Sequence, residues 1–236
     1  MGDMQRTEVG NAGSANYFFA DRPFSSRERW LTGIAVLLVF LLAQLVVNPA
    51  WGGWLRPRLA SISSGPRVFL HHVLVYSLGR TLVCGALLVL LIRRRVFQPL
   101  TLRRKVRVSL LQGTVAGIMI ALLPLAVAVP RGHVPGLRFN GWLFAGNLFS
   151  NAWEELVFRG LVFTAVLLVL RRSLPAALLS GLIFGLSHMQ YHPLQQVYVG
   201  MIGAYLALLY YHTGNLLGPW VAHQLSDTLL DSLQPG

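Results

Sequence analysis

The stretch Asn151-Ala152-Trp153-Glu154-Glu155-Leu156-Val157-Phe158-Arg159-Gly160 sets two adjacent carboxylates and an arginine in an otherwise apolar run. No acidic residue lies between Glu28 and Glu154, and after Glu155 the only acids are Asp227 and Asp231. A charge at the centre of a membrane span costs roughly 2.5–3.5 kcal/mol on insertion scales. A chain so sparing of acids that places two of them side by side in a hydrophobic run is using them.

The rest of the composition says what kind of run this is. Of 236 residues, 54% are hydrophobic and only 12% are charged, with a mean hydropathy of +0.56. A soluble domain carries about 25% charged residues. Several apolar runs approach the ~20 residues that cross a bilayer core. The fold class is therefore all-α, a polytopic transmembrane helix bundle. A β-barrel would show short alternating segments instead. The net charge of +12 is almost entirely arginine, with Lys105 the only lysine. In a hydropathic chain such charge marks topology, and no basic face on a soluble fold points to nucleic acid. Cys84 is alone, so no disulfide forms within the chain. Residues 1–22 are polar, lack a secretory pattern and read as a disordered tail.

About seven spans are expected. The first runs from Trp30 to Val47, ended by Asn48-Pro49, with a Trp- and Arg-bearing loop over 49–67. The second runs from Val68 to Ile92, interrupted by Arg80, which pairs or snorkels. The third covers Ser109–Val129 and is kinked at Pro124. The fourth covers Gly141–Leu170 and carries the opening motif; its first part, through Asn147 and Ser150, is polar enough for a tilted or interfacial piece. The fifth covers Leu174–Met189, with Ser173 as cap and Pro175 in the first turn. The sixth covers Leu194–His212 and the seventh Leu216–Leu233, joined by the turn Thr213-Gly214-Asn215. The division is a tail over 1–22, three spans with their loops over 23–140, and a core over 141–236 that takes in the last four spans, the part in which the motif resemblance described below implies a catalytic core.

With the N-terminus inside, thirteen basic residues fall on the cytoplasmic side, seven of them in the loop 93–108, against five on the other. That asymmetry favours a cytoplasmic N-terminus, in an inner membrane of bacterial type. The sequence shows no internal repeat of the kind many transporters carry, which weighs against a proton-coupled carrier.

Helical spacing sorts the polar residues. Glu154 and Glu155 lie ~100° apart and cannot share a face. Glu155 and Arg159 are four apart and can pair, which leaves Glu154 without a local partner. His188 follows Phe184 by four residues at the end of the fifth span, and His223 precedes Asp227 by four in the seventh. A carboxylate beside an imidazole fixes its orientation. Carboxylate, imidazoles and arginine together suit a water-using active site. They also suit a zinc site, although no His-Glu-x-x-His run is present.

Glu154-Glu155-x-x-x-Arg159, Phe184-x-x-x-His188 and His223-x-x-x-Asp227, in this order and each in an apolar span, resemble the signature of the CPBP intramembrane proteases, the CAAX-protease and bacteriocin-processing (Abi) group. The resemblance covers about residues 141–233. It implies peptide-bond hydrolysis at the membrane in a prenylated, leader-bearing or C-terminally anchored precursor. Glu154 would activate water, His188 would assist, and His223 with the residue at 227 would stabilise the oxyanion. Glu155, Arg159 and Phe184 would shape the site. Many members carry Asn where this chain has Asp227, so Asp227 is expected to act through His223 by orienting it. The resemblance implies no cofactor in the glutamic mechanism; the earlier metalloprotease assignment leaves a divalent metal such as zinc on Glu154, His188 and His223 as the alternative. The implied partners are a peptide or protein substrate and the lipid bilayer, with no nucleic acid. The competing reading is a non-catalytic immunity or scaffold protein that keeps the fold and binds a peptide or partner. Under the inside N-terminus, Glu154 lies ~18–20 Å along its helix from the outer end at Gly141, which favours an exported substrate over a cytoplasmic prenylated tail.

Overall fold

The computed structural model describes Phe18, Phe19 and residues 24–76, 78–98, 105–128 and 135–235. The expected tail over 1–22 lies outside these residues except for Phe18 and Phe19. Those two are buried, with Phe18 against Phe163, Tyr210 and Tyr211, and are not part of a solvated tail.

Helix α1 runs over Ser26–Leu59. Its start is fixed by a reciprocal cap: Glu28 N–H donates to Ser25 Oγ at 3.1 Å, and Ser25 N–H donates to Glu28 Oε2 at 2.8 Å. The expected stop at Asn48-Pro49 does not occur. A π turn over Ala43–Val47 precedes the proline. A widened turn accommodates the missing N–H and the bulk of the ring, so the helix continues through it. Asn48 instead reaches the next elements, donating from Nδ2 to the Tyr76 carbonyl at 2.7 Å and accepting from Arg80 N–H at 3.3 Å. These are α2, Ser64–Leu70 with a π turn over His71–Val75, and α3, Leu78–Arg93. Helix α4 covers Val106–Ala128 with Pro124 inside it.

Helix α5 is the centre of the bundle. It runs as Gly141–Glu155, a π stretch over Leu156–Phe163, and Thr164–Leu170. Asn140 caps it through Oδ1, and Arg171 ends it in the left-handed conformation. Residues 157–168 are buried all round, as expected of a helix with neighbours on every side. The lead-in through Asn147 and Ser150 is continuous helix, and Asn147, Ser150 and Asn151 are buried between helices. Helix α6 covers Ser173–Leu186, and the expected cap Ser173 is its first helical residue, Arg172 taking the cap position. Helix α7 covers Pro193–Thr213, capped by His192 with Gln195 and closed by Gly214 at φ 63°. Helix α8 covers Leu217–Ser232. Two short strands, β1 (Pro135–Leu137) and β2 (Leu233–Pro235), pair antiparallel and tie the lead into α5 to the end of α8.

Two close helix pairs hold the late helices, α6 on α7 and α4 on α8. Both depend on small residues. A Cβ on Gly181 would lie 2.5 Å from the Gly200 carbonyl, and one on Gly117 would lie 2.7 Å from the Ala222 carbonyl. Such contacts let backbones approach where lipid offers no hydrophobic drive for association. The opposite face of α6 presents Leu174, Leu178, Leu182 and Leu186, all more than half exposed. In a soluble protein such a stripe would be a liability; here it is a lipid face. Among the described residues three stretches are long and apolar enough to cross a membrane by themselves, Ser26–Leu59, Ser64–Arg93 and Val106–Pro124, with Ser173–Leu186 a shorter apolar helix. The chain is an α-helical integral membrane protein.

Candidate active site

The first carboxylate to place is Glu155. Its side chain is 1% exposed, so each oxygen needs a partner. Oε2 forms an ion pair with Arg159 Nε at 3.0 Å that lacks hydrogen-bond geometry, and Oε1 accepts from His223 Nδ1 at 2.9 Å. The first contact is the expected i, i+4 pair within α5. The second crosses to α8. Because a carboxylate only accepts, Nδ1 of His223 carries its proton and Nε2 is aimed outward. The expected i, i+4 contact of His223 with Asp227 is present, with Asp227 Oδ2 3.6 Å from Nε2, and the structure adds a shorter bond to the ring from Glu155. Arg159 is also buried. It lies over the Phe184 ring, with Cζ 4.7 Å from the centroid, and Nη2 reaches the Gly203 carbonyl at 3.5 Å. The π stretch contributes directly, since the Arg159 carbonyl accepts from Thr164 Oγ1, five residues on, at 3.0 Å.

Glu154 turns to the other side of α5. Helical spacing left it without a local partner, and the partners come from elsewhere in the fold. Arg80 Nη2 of α3 lies 3.4 Å from Oε1, and His188 Nε2 lies 3.9 Å from Oε2. His188 is held from behind: its Nδ1 lies 2.8 Å from the Phe184 carbonyl, which only accepts, so the proton is on Nδ1 and Nε2 faces the carboxylate. The side chains of Glu154 and His188 are 17% and 14% exposed, less enclosed than Glu155. A separation of 3.9 Å is beyond a direct hydrogen bond and within reach of one bridging water.

Phe184 packs edge-on against both histidines, 4.7 Å from His188 and 5.9 Å from His223 between ring centres. The expected residues Glu154, Glu155, Arg159, Phe184, His188, His223 and Asp227 thus come from three separate stretches to one place. His192, by contrast, is an exposed helix cap. Tyr191, between α6 and α7, stacks on His188 at 5.4 Å. Burial, then the negative charge of Asp227, pushes the Tyr191 hydroxyl above the usual phenol range, so it stays a neutral donor.

Several polar residues escaped the sequence reading. Asn151 Nδ2 donates to Asp227 Oδ2 at 3.0 Å and to Gln224 Oε1 at 3.3 Å. Asn147 Nδ2 donates to Asp231 Oδ2 at 2.8 Å. The signal was present: Asn147, Asn151, Glu155 and Arg159 recur every four residues on α5, and Asp227 and Asp231 do so on α8. Arg80, expected to pair or snorkel, pairs, and its Nη1 donates to Gln44 Oε1 at 2.7 Å; Gln44 carries no such periodic signal.

Among the described residues no three of His, Cys, Asp and Glu are grouped so as to hold an ion. His188 and His223 both have Nδ1 held, by the Phe184 carbonyl and by Glu155, which turns both Nε2 atoms toward the site, the orientation that a water-using site and a metal site share. The Arg80 guanidinium stands beside Glu154.

Residues 136–229 match the family model described as type II CAAX prenyl endopeptidase Rce1-like. The matched span takes in α5 through most of α8, and with them Glu154, Glu155, Arg159, Phe184, His188, His223 and Asp227. No curated protein and no solved structure matches the chain.

Proposed function

Residues 136–229 belong to the CPBP/CAAX protease family, and from that premise we propose that the chain is a glutamic intramembrane endopeptidase in which Glu154 is the base. The observation that carries this reading is the meeting of Glu154 and His188, from different helices, across a gap of 3.9 Å at the only partly open carboxylate of the doublet. Water held between them gives one proton to Glu154 and attacks the scissile carbonyl. The oxyanion that forms is met by Nε2–H of His223. Donation from that nitrogen requires the doubly protonated ring, and Glu155 and Asp227 are the flanking negative charges that compensate it. Glu154 then returns its proton to the departing amine. Arg159 and Phe184 hold Glu155 and the two imidazoles in place.

The seven crossings, a cytoplasmic N-terminus in a bacterial-type inner membrane, and a core within 141–236 are parts of the same proposal. So is the substrate, a peptide segment of a prenylated, leader-bearing or anchored precursor at the membrane. Neither a metal nor another cofactor is needed for this chemistry. The test is quantitative comparison of membrane and secreted proteins from host cells carrying wild type or Glu154→Gln. Precursors that accumulate uncut only in the variant identify the substrate. Identical terminal peptides in both strains, with the protein present at wild-type level, would instead favour a scaffold or immunity role.

A further inference from the structure

The matched family segment leaves Glu154 incomplete, and the missing part comes from outside it. Arg80, on α3, is 3% exposed. One arm of its guanidinium, Nη2, reaches Glu154 Oε1 at 3.4 Å. The other arm, Nη1, donates to Gln44 Oε1 of α1 at 2.7 Å. Gln44 in turn donates from Nε2 to the Ser187 carbonyl at 3.2 Å, next to His188. The guanidinium also lies over the Phe158 ring of α5, with Cζ 5.0 Å from its centre, and the Arg80 backbone N–H is pinned by Asn48. A buried cation with each arm committed in this way is fixed in space, and a planar fork is the group suited to the task.

We propose that Arg80, anchored by Gln44, is the positioning residue for Glu154 and His188: it pairs with the Glu154 carboxylate and sets its spacing from the imidazole. The chain of contacts runs Glu154, Arg80, Gln44, Ser187, so one bracket spans both members of the proposed water-activating pair. The site is therefore built jointly by α1 and α3 and by the family segment, and residues 136–229 alone lack the guanidinium that meets Glu154. This deepens the reading of Glu154 as base and rests on it for the consequence in turnover. The ionisation of Glu154 is a separate and directly readable property.

The probe is dicyclohexylcarbodiimide, an apolar reagent that reacts with the protonated form of a buried carboxyl, with the adduct located by peptide mass spectrometry on the full-length protein in lipid nanodiscs at neutral pH. In wild type Glu154 stays unlabelled. In Arg80→Met the protonated fraction rises about tenfold or more, the effect of losing an opposite charge at this range, and Glu154 is labelled. Arg80→Lys keeps the charge and stays unlabelled. Gln44→Leu also stays unlabelled, but precursor processing in cells falls, as in Arg80→Met, on the order of 10²-fold for a catalytic group misplaced by about 1 Å. Equal labelling of Glu154 in wild type and Arg80→Met, or processing by Gln44→Leu at the wild-type rate, overturns the proposal. Normal processing by Glu154→Gln would refute the glutamic reading alone and leave the labelling result standing.

Discussion

Removing the charge of Glu155 isolates the part of the site that is architecture. In Glu155→Gln the side chain keeps its size, but Arg159 loses its counter-ion while its own side chain remains 1% exposed. Its remaining contacts are the Gly203 carbonyl at 3.5 Å and the Phe184 face, and Nη1 has no hydrogen-bond partner among the described residues. Breaking a buried pair by removing one partner costs about 3–5 kcal/mol, a large share of a folded domain's ~5–15 kcal/mol. The bond from His223 Nδ1, at 2.9 Å, weakens as well, for about 1 kcal/mol more. Replacing both charges removes the orphan. Glu155→Gln with Arg159→Met is therefore expected to be more stable than either single variant, with a coupling energy of about 2–3 kcal/mol in the cycle. Reversible unfolding in mixed micelles, followed by tryptophan fluorescence, measures it. Simple additivity of the two single losses would refute the account of Glu155 and Arg159 as one buried unit. The double variant separates stability from function, since His223 is no longer held by a carboxylate and processing stays low while the fold recovers.

Three further outcomes follow from the same geometry. Asp227→Asn keeps an oxygen for the Asn151 amide and removes one of the two negative charges beside His223, leaving Glu155 to compensate the ring, so precursor processing in cells stays within about tenfold of wild type, the value of one ordinary hydrogen bond; complete loss would mean that a carboxylate is required there. Gly181→Ile forces α6 from α7, where a Cβ already meets the Gly200 carbonyl at 2.5 Å, and is expected to lower stability by about 1–3 kcal/mol in the same unfolding assay, whereas Leu182→Ile on the lipid face changes it little. Incubation of the purified protein with a strong chelator leaves processing of an identified precursor unchanged; loss restored by zinc would establish the metal set on Glu154, His188 and His223.

How much of this was legible in the sequence depends on the range of the interaction. The membrane class follows from composition, because crossing a bilayer requires long apolar stretches whatever the packing. The separation of Glu154 from Glu155, the pairing of Glu155 with Arg159 and the common face of Phe184 and His188 follow from 3.6 residues per turn, a property of the backbone alone. The end of the sixth span was legible from the turn Thr213-Gly214-Asn215, where Gly214 takes the left-handed conformation that closes the helix. Pro49 was misread as a terminator because a proline stops a regular α-helix, while the π turn over Ala43–Val47 makes a place for it. Contacts between helices have no such local rule. That His223 bonds to Glu155 as well as meeting Asp227, that Asn151 holds Asp227, and that Arg80 and Gln44 reach across from α3 and α1 to Glu154 are decided by how the helices pack. The sequence determined which residues carry the charge and on which side of each helix they stand; only the tertiary structure decided which charge answers which, because a buried ion's partner is whatever side chain the packing brings within a few ångströms.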